Sequence, residues 1–177
     1  MPEPAVPPTV AEMLTALRAL HYNYSYGQTI REEWAFFEEL RLGTGFTQEQ
    51  RIDAFALALW PSKHWASYAY EVKASRTDFK SEIRKPAKRR AALRYSNLFW
   101  FVTPVGLVKP EEIPIEAGLI EICWRAGWSS RLGCSIEDWR PHVVLSAPWR
   151  DVPPPTWNLF AAVARRVSRQ EQANADN

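Results

Sequence analysis

Ser67-Tyr68-Ala69-Tyr70-Glu71-Val72-Lys73-Ala74 is an apolar run that carries an acid and a lysine two positions apart. Read as an extended strand, it sends successive side chains to opposite faces, so Glu71 and Lys73 project from the same side. Burying an isolated charge is expensive, so charges at the inner end of a strand have partners or chemistry to do. An earlier acid, Asp53, stands eighteen positions before Glu71 in the otherwise apolar Arg51-Ile52-Asp53-Ala54-Phe55-Ala56-Leu57. If the two segments pair, the carboxylates of Asp53 and Glu71 meet at one end of a sheet. Two carboxylates there suit Mg²⁺, which takes oxygen ligands and keeps several waters, and the Val72 carbonyl adds a further oxygen. Lys73 then stands where it can orient or deprotonate an attacking water, or balance charge on a pentavalent phosphate. The same spacing fits a cross-strand salt bridge of Asp53 or Glu71 with Lys73 equally well.

Outward from this pair the chain reads as one α/β domain of residues 9–170, between a proline-rich, disordered 1–8 and a polar tail, 171–177. Thr9 is a fair N-cap for a helix to about Leu20, with Val10, Met13, Leu14, Leu17 and Leu20 at helical spacing. His21 to Gly27 reads as a loop. A second helix is expected from Thr29 to about Leu42, with Ile30, Trp34, Phe37 and Leu40 on one stripe and Gly43-Thr44-Gly45 as its stop. Arg51 to Trp60, closed by Pro61, and Ser67 to Ala74 are predicted strands of a hairpin. Ser75-x-x-Asp78 resembles a capping box that starts a helix, which Pro86 interrupts or restarts. Strands are expected at Asn97–Thr103 and Ala117–Cys123, a short extended piece or loop at Val143–Leu145, and a final helix from Thr156 to Arg169. The order is that of a single α/β domain.

Composition narrows the partners. In 177 residues with a net charge of +2, the segment 80–94 alone holds seven Lys and Arg against one acid, a local +6. A mildly acidic body with one concentrated basic segment suits contact with phosphates, although a solvated helix face has the same composition. No run of ~18 apolar residues crosses a membrane as a helix, and the N-terminus lacks the pattern of a secretory signal, so a cytoplasmic protein is expected. Cys123 and Cys134, without a CxxC pairing, read as reduced buried thiols. Nine Trp, eight Phe and six Tyr are too many for all to be fully buried.

The pattern R-x-D at 51–53 followed by E-V-K-x-S-x-x-D-F at 71–79 resembles the PD-(D/E)XK nuclease superfamily, with its restriction-endonuclease-like fold. It is similar in particular to small bacterial and phage members related to DNA-repair nucleases. The resemblance spans about residues 29–123 and continues through Pro86-x-Lys88-Arg89, Ser96-Asn97-x-Phe99-Trp100-x-Val102-x-Pro104-x-Gly106, Glu112-x-Pro114 and Ala117-Gly118-Leu119. It implies an αβββαβ core, a central mixed β-sheet flanked by helices. It also implies a metal held by Asp53 and Glu71, and Lys73 as the catalytic lysine. Many members add a glutamate from the helix before the first strand; the candidates are Glu32, Glu33, Glu38 and Glu39. Glu33 shares a helical face with Phe37 and Leu40 and is preferred, with Glu32 as fallback. Ile52 stands where the superfamily's name has proline, a departure common among its members.

The expected activity is therefore Mg²⁺-dependent hydrolysis of DNA phosphodiesters, with Mn²⁺ able to substitute. Arg76, Arg84, Lys85, Lys88, Arg89 and Arg90 are the candidate DNA-binding residues, with Lys88 equally readable as a surface lysine. Ser75 and Asp78 read as caps, and His21, His64 and His142 as exposed loop histidines. The tryptophans at 124, 128, 139, 149 and 157 read as packing for an irregular C-terminal third. The rival reading is a non-catalytic DNA-binding or accessory subunit on the same fold, and a homodimer or partner protein remains open.

Overall fold

Thr9 opens the first helix through a reciprocal cap: its hydroxyl accepts from the Glu12 amide at 3.3 Å, and the Glu12 carboxylate accepts from the Thr9 amide at 2.7 Å. The helix it starts, α1 (Val10–His21), buries Met13, Ala16 and Leu17. The computed structural model describes residues 6–21, 33–42, 51–129 and 134–175. After α1 come β1 (Trp34–Arg41), β2 (Arg51–Ala58) and β3 (Ser67–Val72). They are followed by α2 (Arg76–Ile83), α3 (Arg90–Tyr95), β4 (Leu98–Pro104), β5 (Gly118–Ser129), β6 (Cys134–Leu145) and α4 (Trp157–Ala175).

The six strands form one mixed sheet in sequence order. β1, β2 and β3 are an antiparallel meander, β4 is parallel to β3, β5 parallel to β4, and β6 antiparallel to β5. β4 is buried on both faces, which explains its continuous apolar sequence. Trp100 and Val102 pack with Met13 and Leu17 of α1 on one face. Phe99 and Phe101 pack with Phe79 of α2, Ala91 and Ala92 of α3 and Leu159 of α4 on the other. The molecule is thus an α/β domain whose sheet is flanked by helices.

Residues 34–41 form a strand, where helical spacing had predicted a helix from Thr29 to Leu42. Trp34 and Phe36 face the α1 side, and Ala35 and Phe37 the other, as pleating requires. Leu40 shares the face of Phe37 because Glu39 between them takes a left-handed conformation, φ 51°, and resets the pleat. That reset leaves apolar residues three apart, which imitates a helix. Glu32, the loop 22–27 and the glycine stop 43–45 lie outside the described residues.

The C-terminal third is regular rather than irregular, since β5 and β6 pair over most of their length. Trp124 and Trp139 meet edge to face across this pair at 5.3 Å, whereas Trp149 and Trp157 are exposed. His21 is not a loop residue either: it is buried, and its Nε2 lies 2.7 Å from the Tyr70 hydroxyl. Burial pulls its imidazole down to about 4, so it is neutral at physiological pH. His64 and His142 are exposed, as expected.

Two residues of the quoted motifs have structural work. A Cβ on Gly118 would fall 2.5 Å from both the Ala147 amide and the Trp100 ring, so only glycine fits where that segment crosses β5. Asn97 ties three segments together: its Oδ1 accepts from the Ser67 amide at 2.9 Å and its Nδ2 donates to the Arg150 carbonyl at 2.8 Å. The backbones of Ser67 and Arg150 also bond that of Asn97. Replacing Asn97 with Ala strands a buried donor and acceptor and should lower stability by about 2–4 kcal/mol, read as the shift of the urea unfolding midpoint.

Candidate functional site

The ladder between β2 and β3 runs from Leu57/Ser67 to Ala54/Tyr70 and stops there, while β3 continues with β4 through Val72/Val102. The Lys73 amide extends that second ladder, donating to the Val102 carbonyl at 2.9 Å. Beyond Ala54 the two strands separate, and the Val72 N–H that faced β2 donates instead to Asp53 Oδ2 at 3.1 Å. A buried amide without an acceptor is costly, and here a carboxylate replaces the lost ladder carbonyl. The opening is a cleft of about 760 Å³. Asp53, Glu71, Lys73, Asp78, Glu82 and Lys88 line it, with Glu39 and Arg51 at the β1–β2 side and Val10 and Leu14 of α1 as an apolar wall.

Lys73 is 5% exposed, and its Nζ donates to Glu71 Oε1 at 2.6 Å. Glu82 Oε2 and Asp78 Oδ2 lie 3.6 and 3.7 Å from the same nitrogen. Burial works against the ammonium, but the surrounding carboxylates, Glu71 first, outweigh it and hold its pKa above the usual lysine range. For Glu71, burial and then the charge of Asp53 push the carboxyl up to about 7, against the pull of Lys73. Acid and lysine therefore meet as the strand alternation required, and the second acid stands close enough to raise the first.

The helix after β3 builds the third wall. Ser75 is its N-cap, accepting from the Asp78 amide at 3.2 Å, as its sequence predicted. Asp78 and Glu82, one turn apart, both face Lys73. Glu82 is 3% exposed; its Oε2 also lies 3.9 Å from Lys88 Nζ, and among the described residues its buried Oε1 has no hydrogen-bond partner. Sequence reasoning missed this residue, although it is the one acid inside the basic 80–94 segment.

Other expected members are elsewhere. Glu33 is not on a helix and does not reach the cleft. It precedes β1 opposite Leu59 and pairs with Lys63 at 3.3 Å, six residues along the sheet from Asp53, roughly 20 Å at strand spacing. Glu38 pairs with Arg18. Glu39 reaches the cleft rim and pairs with Arg51 at 3.4 Å, and Arg51 lies 3.5 Å from Asp53 Oδ1. The helix ahead of the meander is α1, whose Glu12 serves Thr9 and Trp139. It offers the cleft only Val10 and Leu14.

Of the basic residues, Arg84, Lys85, Lys88 and Arg90 are exposed. Arg89 is not: 4% exposed, it donates to the Glu82 carbonyl at 3.1 Å and to Glu116 at 3.0 Å, so it anchors α2 and cannot contact a nucleic acid as the protein stands. Arg76 is likewise engaged, forming a two-pronged pair with Glu112 and donating to the Leu107 carbonyl at 3.3 Å. That pair, with the Lys109 amide, holds the Glu112 carboxyl down at about 2.

The donor set suits a hard cation. Five carboxylates and three basic groups line the cleft, a net −2 when all are ionised, and the mutual repulsion of Asp53 and Glu71 is what a divalent ion would relieve. Among the described residues no group of three or more His, Cys, Asp and Glu is gathered to hold an ion. Binding here would therefore rest on two protein carboxylates, the Val72 carbonyl and water, and Glu71 would have to exchange its lysine for the ion. No protein-family model, no curated protein and no solved structure matches this chain.

The raised carboxyl of Glu71 has a stability signature. Its folded pKa of about 7 lies above its ordinary value, so the folded state binds the extra proton and loses stability as pH rises from about 4.5 through 7. Glu71→Gln mimics the protonated acid. In EDTA it should raise the melting temperature at pH 8.5 by about 3 °C or more, and the gain should vanish near pH 4.5. A thermal-shift series across pH reads this out.

Proposed function

We propose that the protein is a divalent-metal-dependent deoxyribonuclease built on a restriction-endonuclease-like core. One observation carries the reading: Asp53, Glu71 and Lys73 converge on a single cleft where β2 and β3 separate. The exposed Arg84, Lys85, Lys88 and Arg90 follow these three in the sequence as a basic segment, of which Lys88 lines the cleft. The order of elements supports the same reading, with α1 leading a three-stranded meander and β4 parallel to β3 after two helices. The leading helix is then Val10–His21, and the glutamate that many superfamily members carry there is replaced by apolar residues.

Mg²⁺ or Mn²⁺ held by Asp53, Glu71 and the Val72 carbonyl would supply Lewis-acid polarisation of the phosphate and a water of lowered pKa. The rest falls to the chain's own groups. Lys73, kept charged in a partly dry site, faces the scissile phosphate and stabilises the negative charge that grows on its oxygens as water attacks phosphorus and the P–O bond breaks. Arg84, Lys85 and Arg90 hold the DNA backbone, a contact that positions without reading sequence. Val10 and Leu14 close the cleft's other side and reduce its access to bulk water.

Purified protein incubated with plasmid, linear and single-stranded DNA should cleave in Mg²⁺ or Mn²⁺ and not in EDTA. Asp53→Asn, Glu71→Gln and Lys73→Ala should each lower the rate by about 10²-fold or more with unchanged circular dichroism. Metal-independent binding without cleavage would favour the non-catalytic alternative, and full activity in all three variants would remove the enzyme reading. The basic segment has its own test in Ca²⁺ in place of Mg²⁺. Reversing Arg84, Lys85 and Arg90 to Glu should weaken DNA binding and flatten its salt dependence, because fewer counterions are released. Arg89→Ala should instead destabilise the fold by about 1–3 kcal/mol, since it strands the Glu82 carbonyl and removes the hydrogen bond to the partly exposed Glu116.

A further inference from the structure

Glu82 is a carboxylate with more hydrogen-bonding capacity than its surroundings use. It sits on α2 at 3% exposure, with Oε2 between Lys73 and Lys88 and with Oε1 buried and, among the described residues, without a hydrogen-bond partner. Leaving a buried carboxylate oxygen unsatisfied is unfavourable, so this carboxylate can accept more than it does here. Its backbone is well fixed. Ser75 caps the helix three residues after Val72, and Arg89 donates to the Glu82 carbonyl at 3.1 Å.

The nearest ammonium stands at the other oxygen, Oε2, of the same carboxylate. Lys73 Nζ is held by Glu71 at 2.6 Å and stands 3.6 Å from Glu82. An ion taken up by Glu71 removes the lysine's nearest acceptor. Asp78, the third carboxylate near this nitrogen, is 57% exposed and hydrated, so it is the weaker substitute. Resting on the nuclease reading above, we infer that Glu82 is a positioning residue: when Glu71 turns to the divalent ion, the Lys73 ammonium moves onto Glu82 and is kept in the cleft. Glu82 itself then neither binds the ion nor touches DNA. Lys88 shares the same oxygen and is the more exposed of the two lysines, so a phosphate that draws Lys88 outward leaves Glu82 to Lys73 alone.

The test reads the lysine directly, without DNA. Wild type, Glu82→Gln and Glu82→Asp are treated with an acetylating ester with and without Mn²⁺, and Lys73 modification is followed by peptide mass spectrometry. In wild type Lys73 should be protected in both conditions. In Glu82→Gln it should stay protected without the ion, where Glu71 holds it, and react on the order of tenfold faster with the ion, the loss expected for one charge-assisted hydrogen bond. Glu82→Asp should restore much of the protection, and it carries the same test if Glu82→Gln does not fold. Because Glu82 holds Lys73 only in the ion-bound state, calorimetric Mn²⁺ affinity should fall on the order of tenfold in Glu82→Gln, recover much of that in Glu82→Asp, and not respond to Glu82→Gln in a Lys73→Ala background.

With DNA, Glu82→Gln should lower kcat on the order of tenfold with little change in KM, and should add nothing in a Lys73→Ala background. Unchanged Lys73 protection in Glu82→Gln with Mn²⁺ would overturn the inference. So would a fall in Mn²⁺ affinity that persists in the Lys73→Ala background, which would make Glu82 a ligand, or rate losses that add to those of Lys73→Ala. A wild type that cleaves no DNA removes the nuclease reading only, because the acetylation experiment still decides where Lys73 goes.

Discussion

Everything at the candidate site depends on the bond from the Val72 amide to the Asp53 carboxylate. A sheet whose central strands stayed paired to their ends would have no cleft, because a ladder carbonyl would take that amide. Asp53 supplies the missing acceptor from its side chain, so β2 can leave β3 without an orphaned donor. The same bond fixes the carboxylate beside Glu71 and gives the pair its electrostatic character. Structure and chemistry share one atom group: Asp53→Asn keeps an acceptor for the Val72 amide and removes only the charge, whereas Asp53→Ala removes both.

Burial sets the sign of the remaining electrostatics. Glu71 and Lys73 form a close pair, yet the acid's pKa rises instead of falling, because desolvation and Asp53 outweigh one lysine. The lysine's charge is favoured because several carboxylates share it. A site in this condition is short of positive charge at the acids and well supplied with negative charge around the lysine. A divalent cation would relieve that imbalance, and Glu82 and Asp78 give Lys73 acceptors besides Glu71. The basic segment follows within a few residues of sequence, and Arg89 shows how selectively it is divided: one arginine is turned inward to anchor the α2 backbone while its neighbours stay in water.

What the amino-acid sequence determined by itself is local. Strand alternation put Glu71 and Lys73 on one side, Ser75 announced a helix start, and the apolar run at 98–103 announced a strand buried on both faces. These features depend on neighbours within a few positions, and a single sequence contains them. The tertiary structure decided what depends on distant contacts. Trp34–Arg41 carries apolar spacing that fits a helix, and pairing with β2, together with the left-handed Glu39, makes it a strand. That pairing carries Glu33 to the far end of the sheet. Folding of α2 over β3 brings Glu82 to Lys73 and turns Arg89 inward, although by composition both belong to one solvated basic segment. Charge and spacing in a sequence name the groups available; which of them share a dry cleft is set by loop closure and strand register, and these are properties of the whole chain.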